Sequence, residues 1–168
     1  DESVKALVLR VDSGGGSAYA SEVIADELEK FKQSGRPIVA SMSSVAASGG
    51  YYISAPADKI FANHNTITGS IGVGGFIPTF ERALDQIGIH EDGYSTVDLT
   101  TSLFKTLTEK DKEIMQMGVD DIYIKFITKV AEGRSMSVEE VDAIARGKVW
   151  IGEKALEIGL VDELGESE

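Results

Sequence analysis

The sequence predicts a parallel α/β fold, because a strand, a helix and a second strand follow one another at its start. A short apolar run from Val4 to Val11 ends in Gly14-Gly15-Gly16, which is typical of a buried strand that enters a loop. Apolar residues then recur at helical spacing between Ser17 and Gln33, and Ile38 to Met42 forms a second short apolar run. This order indicates a parallel unit with a right-handed crossover.

The rest of the chain continues this pattern. Further helices are predicted where apolar residues recur every three or four positions or a capping signal is present: Ala46 to Ser54, Phe80 to Ile87, Thr108 to Val130, Ser137 to Ala145 and Gly152 to Ile158. Further short strands are predicted at Lys59 to Ala62 and Ile71 to Gly75, with a strand-like tail at Leu160-Val161. We expect one domain, with an α/β core over residues 1–92, a polar mobile loop over 93–107 and a helical part over 108–168.

The composition limits the possible chemistry. A chain of 168 residues with 42% hydrophobic and 26% charged residues has the values of one soluble globular domain. The formal charge of -12 argues against a nucleic-acid partner, since phosphate binding requires a clustered basic surface. The sequence has no cysteine, which excludes thiol nucleophiles, zinc-thiolate sites and disulfides. We therefore predict no metal and no cofactor, and expect hydroxyl, carboxylate, amine or imidazole chemistry.

Ser48 is the candidate nucleophile among the serines that lie between Ser41 and Pro56. It stands between Ala47 and Gly49, where a strand is predicted to meet a helix, and backbone N–H groups at such a turn favour developing negative charge. The other serines of this stretch come too early, in the strand or the loop after it: Ser41, Ser43 and Ser44. A second interpretation stays open, in which Ala-Ala-Ser-Gly-Gly only permits close helix packing.

The loop Gly14-Gly15-Gly16 can present backbone N–H groups to an oxyanion, because glycine allows unusual dihedral angles and close approach. A phosphate is disfavoured, since neither the P-loop lysine nor the GxGxxG pattern is present. The loops at 13–16 and 48–50 follow successive predicted strands. Because the carboxyl ends of parallel strands share one edge, we expect both loops to face one crevice.

The residues alone leave the general base open. His64 and His90 are the only imidazoles, and both lie in polar, loop-like segments. The other solution is a lysine whose pKa is lowered by burial, as in a Ser-Lys dyad. Nothing in the spacing of the lysines selects one of them.

Motifs in four parts of the chain occur together in a specific order: Leu9 to Ser17, Ser41 to Ser54, Thr68 to Gly72, and Gly147 to Gly152 with Gly159 to Asp162. With these motifs the chain resembles the signal peptide peptidase A family, also called protease IV, of the Clp-protease/crotonase fold group. The resemblance implies a spiral of ββα units with a mainly parallel sheet flanked by helices. It also implies a serine endopeptidase of the Ser-Lys type.

The resemblance assigns roles to particular residues. Ser48 would be the nucleophile, and the N–H groups of Gly15 or Gly16 and of Gly49 would line the oxyanion hole. Ser70 matches the serine that orients the catalytic lysine through a hydrogen bond.

The chain departs from the family at two places. Gly14 stands where the family motif Ser-Pro-Gly-Gly has its proline. Short members carry the lysine in a segment that corresponds to Tyr94 to Leu99, which has no lysine here. Lys105 comes several residues late and is interpreted as a structural or solvated charge.

Long members of the family resemble tandem duplications, in which the C-terminal half supplies the serine and the N-terminal half the lysine. The chain starts at Asp1 without a methionine, and it lacks the expected lysine. We therefore expect it to be the C-terminal half of a long member, with the base supplied by a lysine-bearing homologous domain and with little activity on its own.

The resemblance also implies partners and a location. The substrates would be released signal peptides or other peptides, the assembly a homo-oligomer, and the location the extracytoplasmic side of the bacterial inner membrane. Three alternatives remain open at this point: a Ser-His peptidase that uses His64 or His90, a crotonase-like acyl-coenzyme A enzyme, and a scaffold domain that lost its base.

Overall fold

The structure is a computed structural model that describes residues 3–94, 96, 99 and 102–165. Its elements in chain order are β1 (Leu7–Ser13), α1 (Ala18–Gln33), β2 (Ile38–Ala47), α2 (Gly49–Ser54), β3 (Lys59–Ala62), β4 (Ile67–Gly69), α3 (Glu81–Asp85), α4 (Glu109–Arg134), α5 (Val138–Ile144), β5 (Val149–Ile151), α6 (Gly152–Glu157) and β6 (Glu163–Leu164). The chain divides into two compact units, Asp1–Val73 with Ile122–Glu168, and Gly74–Asp121. All six strands belong to the first unit.

Strand β2 is the centre of the sheet. It pairs in parallel with β1 along one edge, and with β3 and then β4 along successive parts of the other edge. Strand β6 continues the sheet in parallel beyond β3, whereas β5 is antiparallel to β4. The mainly parallel sheet flanked by helices confirms the predicted fold class.

The core of the first unit holds α2 firmly in place. Tyr51 is fully buried, and the ring of Tyr52 packs against that of Phe126 in α4 with the ring centroids 4.9 Å apart. Apolar side chains of β2, among them Ala40 and Met42, complete the core next to α2. Ser48, which precedes α2, is therefore attached directly to a helix that is packed into the core.

The predicted helix starts are confirmed where a capping residue marks them. Ser17 caps α1 by accepting a hydrogen bond from the N–H of Ala20. Ser137 and Glu140 form a capping box at the start of α5, as the sequence indicates. Both signals are local, so the sequence is sufficient to place them.

Two predicted boundaries near Ser48 are wrong. Ala46 and Ala47 belong to β2 and not to the following helix, because they pair with β4. The predicted strand from Ile71 to Gly75 has no regular structure, and the strand lies earlier, at Ile67–Gly69. Gly69 and Ser70 have positive φ angles of 75° and 49°, which end the strand before the apolar run begins.

The predicted strand-like tail is also misplaced. Leu160 and Val161 are buried and donate their N–H groups to the carbonyl of Ala155, so they close the turn after α6. The strand that follows is β6, two residues later. Strand β5 was not predicted, because its three residues carry no alternation of apolar and polar side chains.

The predicted mobile loop over 93–107 lies in part outside the described residues, so that interpretation and the division into one domain stay predictions. Within the described ranges, no helix combines the length and the apolar character that a membrane span requires. The same residues contain no cluster of three or more histidines and carboxylates suited to a metal ion.

Candidate active site

Ser48 is the single residue between β2 and α2, and its backbone is strained. Its φ of 52° and ψ of -120° lie outside the regions that residues with a side chain favour. Its N–H donates to the carbonyl of Gly69 over 2.9 Å, and its carbonyl accepts a hydrogen bond of 2.9 Å from the N–H of Tyr52. Strain of this kind costs about 1–3 kcal/mol and persists where the surroundings impose it, frequently at functional sites.

The Ser48 hydroxyl is half-buried and makes no hydrogen bond to any residue in the described ranges. No buried side-chain polar atom of the described residues lacks a partner, so the unpartnered Ser48 Oγ is not fully buried. The group is therefore available to another molecule.

Gly15 lies directly against Ser48. A Cβ atom on Gly15 would be 2.6 Å from the Cβ of Ser48 and 2.7 Å from the nitrogen of Gly49. Its φ of 102° is also a conformation that favours glycine. The glycine loop after β1 and the turn after β2 thus meet at one place, as the sequence predicts.

Only part of the predicted oxyanion hole has free donors. The N–H of Gly15 donates to Ser13 Oγ over 3.1 Å and is therefore engaged. The N–H groups of Gly16 and Gly49 have no acceptor within the part of the chain that the structure describes. They are neighbours, because a Cβ atom on Gly49 would lie 3.4 Å from the nitrogen of Gly16.

Gly49 and Gly50 are required by packing. A Cβ atom on Gly49 would lie 2.5 Å from Ser21 Oγ, and one on Gly50 would lie 2.6 Å from the carbonyl oxygen of Ser13. The close-packing interpretation of the Ala-Ala-Ser-Gly-Gly stretch therefore describes these two glycines. It does not account for the free hydroxyl of Ser48.

Ser70 lies beside Ser48. Ala47 and Gly69 are register partners in the parallel pair of β2 and β4, so Ser48 and Ser70 each follow one member of that pair. Neighbouring strands are about 4.8 Å apart. The backbone of Ser70 is fixed by a hydrogen bond of 2.7 Å from its N–H to the carbonyl of Lys148.

Ser13 is a site residue that sequence reasoning missed. Its hydroxyl accepts the N–H of the residue two positions later, and this contact shapes the glycine loop. The signal was present, because a serine directly before a glycine run is typical of a turn in which the side chain bonds the backbone.

No lysine in the described ranges is in hydrogen-bonding contact with Ser48. Lys148, whose carbonyl holds Ser70, directs its own Nζ to the carbonyl of Ala143 over 2.8 Å. Burial acts to lower the pKa of Lys129, but its hydrogen bond to Glu29 and the electrostatic effects of Glu29, Tyr52 and Asp26 together outweigh burial and raise the pKa. A general base requires the opposite shift.

His64 stands apart from these serines along the strand β4. His64 is exposed in the turn before β4, whereas Ser70 follows that strand. Three strand residues span roughly 10 Å. His90 belongs to the unit Gly74–Asp121, is exposed, and has its Nδ1 3.0 Å from a carboxylate oxygen of Asp85.

Comparison with known proteins gives close relatives over the whole chain. The chain is 49% identical, over 98% of its length, to a protein named Protease 4 from Haemophilus influenzae, of which it covers 27%. It is 36% identical, over 96% of its length, to a protein named Serine protease SPPA, chloroplastic, from Arabidopsis thaliana, of which it covers 24%. The chain therefore spans about a quarter of the length of these relatives.

Among solved structures, a mutant ClpP1 from Listeria monocytogenes matches with a TM-score of 0.67, over 99% of this chain and 78% of that chain. At 17% identity the likeness concerns the fold alone, and it agrees with the Clp-protease/crotonase-like fold that the motifs imply. The family model described as Peptidase family S49 matches residues 30–168, a range that includes Ser48, Gly49 and Ser70. The chain therefore belongs to peptidase family S49.

Proposed function

We propose that this chain is the serine-bearing catalytic domain of a Ser-Lys signal peptide peptidase, whose lysine comes from another domain. The observation that carries the proposal is the Ser48 hydroxyl itself. It is carried by a strained backbone, has no hydrogen-bond partner within the described residues, and lies next to two N–H groups that also lack acceptors there.

In the proposed reaction, Ser48 Oγ attacks the carbonyl carbon of a peptide bond while a neutral lysine amine takes the hydroxyl proton. The electrons of the carbonyl double bond move to its oxygen and form a tetrahedral oxyanion. When the oxyanion collapses, the C–N bond breaks and the lysinium returns the proton to the leaving amine. Water then hydrolyses the acyl-enzyme ester by the same sequence of transfers, which restores the Ser48 hydroxyl.

The N–H groups of Gly16 and Gly49 are the proposed oxyanion donors. Gly16 is favoured over Gly15, because the N–H of Gly15 already donates to Ser13 Oγ. Donors fixed by the backbone need no reorganisation when charge develops, and one such donor contributes roughly 3–4 kcal/mol to transition-state stabilisation.

Ser70 is the proposed positioning residue for the lysine. Its support is its place next to Ser48 at the end of the paired strands β2 and β4. From there a hydroxyl oxygen can accept a hydrogen bond from an ammonium group that also reaches Ser48 Oγ.

The proposal that the lysine comes from outside the chain has two supports. Residues 94–99 have no lysine, and within the described part of its own unit Ser48 has no hydrogen bond from a lysine. The relatives are about four times as long as the matched region, which leaves room for a second, lysine-bearing domain. Released signal peptides as substrates, a homo-oligomeric assembly and the extracytoplasmic side of the bacterial inner membrane rest on the motif resemblance.

Peptide-ester hydrolysis by the isolated 168-residue chain and by the full-length protein tests this proposal. We expect activity in the full-length protein, its loss in Ser48→Ala, and little activity in the isolated chain. Equal activity of both proteins would disprove the split dyad. His64→Ala and His90→Ala should retain activity, and a large loss in either would favour a Ser-His peptidase.

A further inference from the structure

Trp150 covers the backbone that joins the two site serines. It lies in β5, which pairs antiparallel with β4 so that Trp150 is opposite Thr68 and Val149 is opposite Gly69. A Cβ atom on Gly69 would lie 2.7 Å from Cδ1 of the Trp150 indole. The ring therefore occupies the space that a side chain on Gly69 would need.

Gly69 connects Ser48 with Ser70. Its carbonyl accepts the N–H of Ser48 over 2.9 Å, and Ser70 is the next residue along the chain. The peptide between Gly69 and Ser70 contains the Gly69 carbonyl, which accepts from Ser48, and the N–H of Ser70. A rotation of this peptide therefore moves both groups. A single backbone unit thus sets the positions of both hydroxyls.

This backbone is strained and needs support. Gly69 and Ser70 both have positive φ angles, and such a conformation persists in a residue with a side chain only when its surroundings impose it. Two main-chain hydrogen bonds supply part of the support, from Ser70 N–H to the Lys148 carbonyl over 2.7 Å and from Gly147 N–H to the Ile71 carbonyl over 2.9 Å.

The indole supplies the rest, and its own orientation is fixed. Trp150 Nε1 donates to the carbonyl of Ile144 over 3.0 Å, at the end of α5. Its ring is half-buried and packs against the hydrophobic core. The hydrogen bond and the core packing fix the ring in place. Gly69 therefore cannot move towards β5.

We propose that Trp150 is a positioning residue for the active site, which holds the Gly69-Ser70 peptide so that Ser48 and Ser70 keep their relative positions. The inference rests on the proposed function of Ser48 as the nucleophile. A displacement of about 1 Å in such an arrangement can lower the rate roughly a hundredfold.

The test uses the full-length protein and two variants. Trp150→Phe keeps an apolar ring, including the Cγ and Cδ1 atoms that face Gly69, but removes the Nε1–H donor that fixes the orientation of the ring. Ile38→Val is the control, because it removes one buried methylene-sized group at the opposite end of β2 from Ser48. The measurements are the rate at which a serine-directed phosphonate labels Ser48, kcat and KM for a peptide ester, and the melting temperature.

We expect Trp150→Phe to lower both the labelling rate and kcat by about tenfold to a hundredfold, with KM changed less than about twofold. Ile38→Val should leave both rates within about twofold of wild type despite a lower melting temperature. An unchanged labelling rate in Trp150→Phe would overturn the inference, as would an equal loss in Ile38→Val at an equal melting temperature. Absence of Ser48 labelling in the wild type would instead overturn the proposed function, and the positioning role with it.

Discussion

At the residue scale, the contact between Gly15 and Ser48 leaves no room for a side chain. A Cβ atom on Gly15 would meet both Ser48 and the nitrogen of Gly49, whereas one on Gly14 would have no heavy atom within 4 Å. The two neighbouring glycines therefore differ in function.

Gly15→Ala should lower phosphonate labelling of Ser48 by about a hundredfold, because the new methyl group displaces the nucleophile and one oxyanion donor. Gly14→Ala is the matched control and should label at the wild-type rate. Labelling rates that agree between the two variants would contradict the described contact.

Ser13 determines how many N–H groups of the loop are free. Ser13→Ala removes the acceptor of the Gly15 N–H, and a lost hydrogen bond of this kind corresponds to about 1 kcal/mol. We expect kcat for a peptide ester to fall roughly fivefold, because the loop holds Gly16 less firmly. Ser44→Ala, which changes an exposed serine of β2, should leave kcat unchanged. A fall in both variants would contradict this role for Ser13.

At the element scale, α2 is anchored to the C-terminal segment through one buried hydroxyl. Tyr51 is 0% exposed, and its hydroxyl donates to the carbonyl of Leu160 over 2.8 Å. Burial raises the pKa of Tyr51 well above its usual range, so the hydroxyl stays protonated and keeps its donor. This bond holds the short helix that starts after Ser48.

Tyr51→Phe should lower the free energy of unfolding by about 1–3 kcal/mol, because the Leu160 carbonyl is left buried without a partner. Urea unfolding measures the loss. Tyr19→Phe is the control at a side chain that is 77% exposed, and it should change the free energy by less than about 0.5 kcal/mol. Equal stability of Tyr51→Phe and wild type would show that the bond is not maintained in solution.

The sequence predicts those elements whose signals are local. Ser17 and Ser137 mark helix starts, because each caps a backbone N–H three residues later. Strand β4 could not be predicted, since its short run becomes a strand only through pairing with β2 and β5, which are distant in sequence. The close approach of Trp150 to Gly69 depends on the same pairing.

The sequence predicts those parts of the site that lie in recognisable motifs. The meeting of Gly15 with Ser48 was expected from two loops at successive strand ends. The choice between Gly15 and Gly16 as donor was not predictable, because it depends on where the Ser13 hydroxyl points.

At the scale of the whole molecule, one ion pair joins the end of α4 to the segment after α6. Arg134 donates through both terminal nitrogens to Asp162, over 2.9 Å and 2.6 Å, and Asp162 also accepts the N–H of Ile60 over 2.7 Å. Burial acts to raise the pKa of Asp162, but the hydrogen bonds from Arg134 and Ile60 together with the charges of Arg134 and Lys59 outweigh burial and lower the pKa below its usual value.

Because the pKa of Asp162 is lowered in the folded state, acid should decrease the free energy of unfolding. Above the unfolded-state pKa of about 3.9, Asp162 is charged in both states and its stabilising contribution is complete. As the pH falls through the folded-state pKa, the unfolded state binds the proton more readily and the contribution is lost. We therefore expect the free energy of unfolding to fall with acidification below about pH 4, as measured by urea titration.

Asp162→Asn should be less stable than wild type at pH 7 and lose less stability on acidification. Glu153→Gln, at an exposed carboxylate on α6, should follow the wild-type curve. If the free energy of unfolding of Asp162→Asn fell with acidification as much as that of wild type, Asp162 would not be the cause of the pH dependence.

Ser48 is the proposed nucleophile, and its reactivity can be measured directly. The most direct measurement is peptide mapping by mass spectrometry after the full-length protein has reacted with a serine-directed phosphonate. We expect one modified site, Ser48, and no modification in Ser48→Ala. Modification of a different serine, or unchanged labelling in Ser48→Ala, would contradict it.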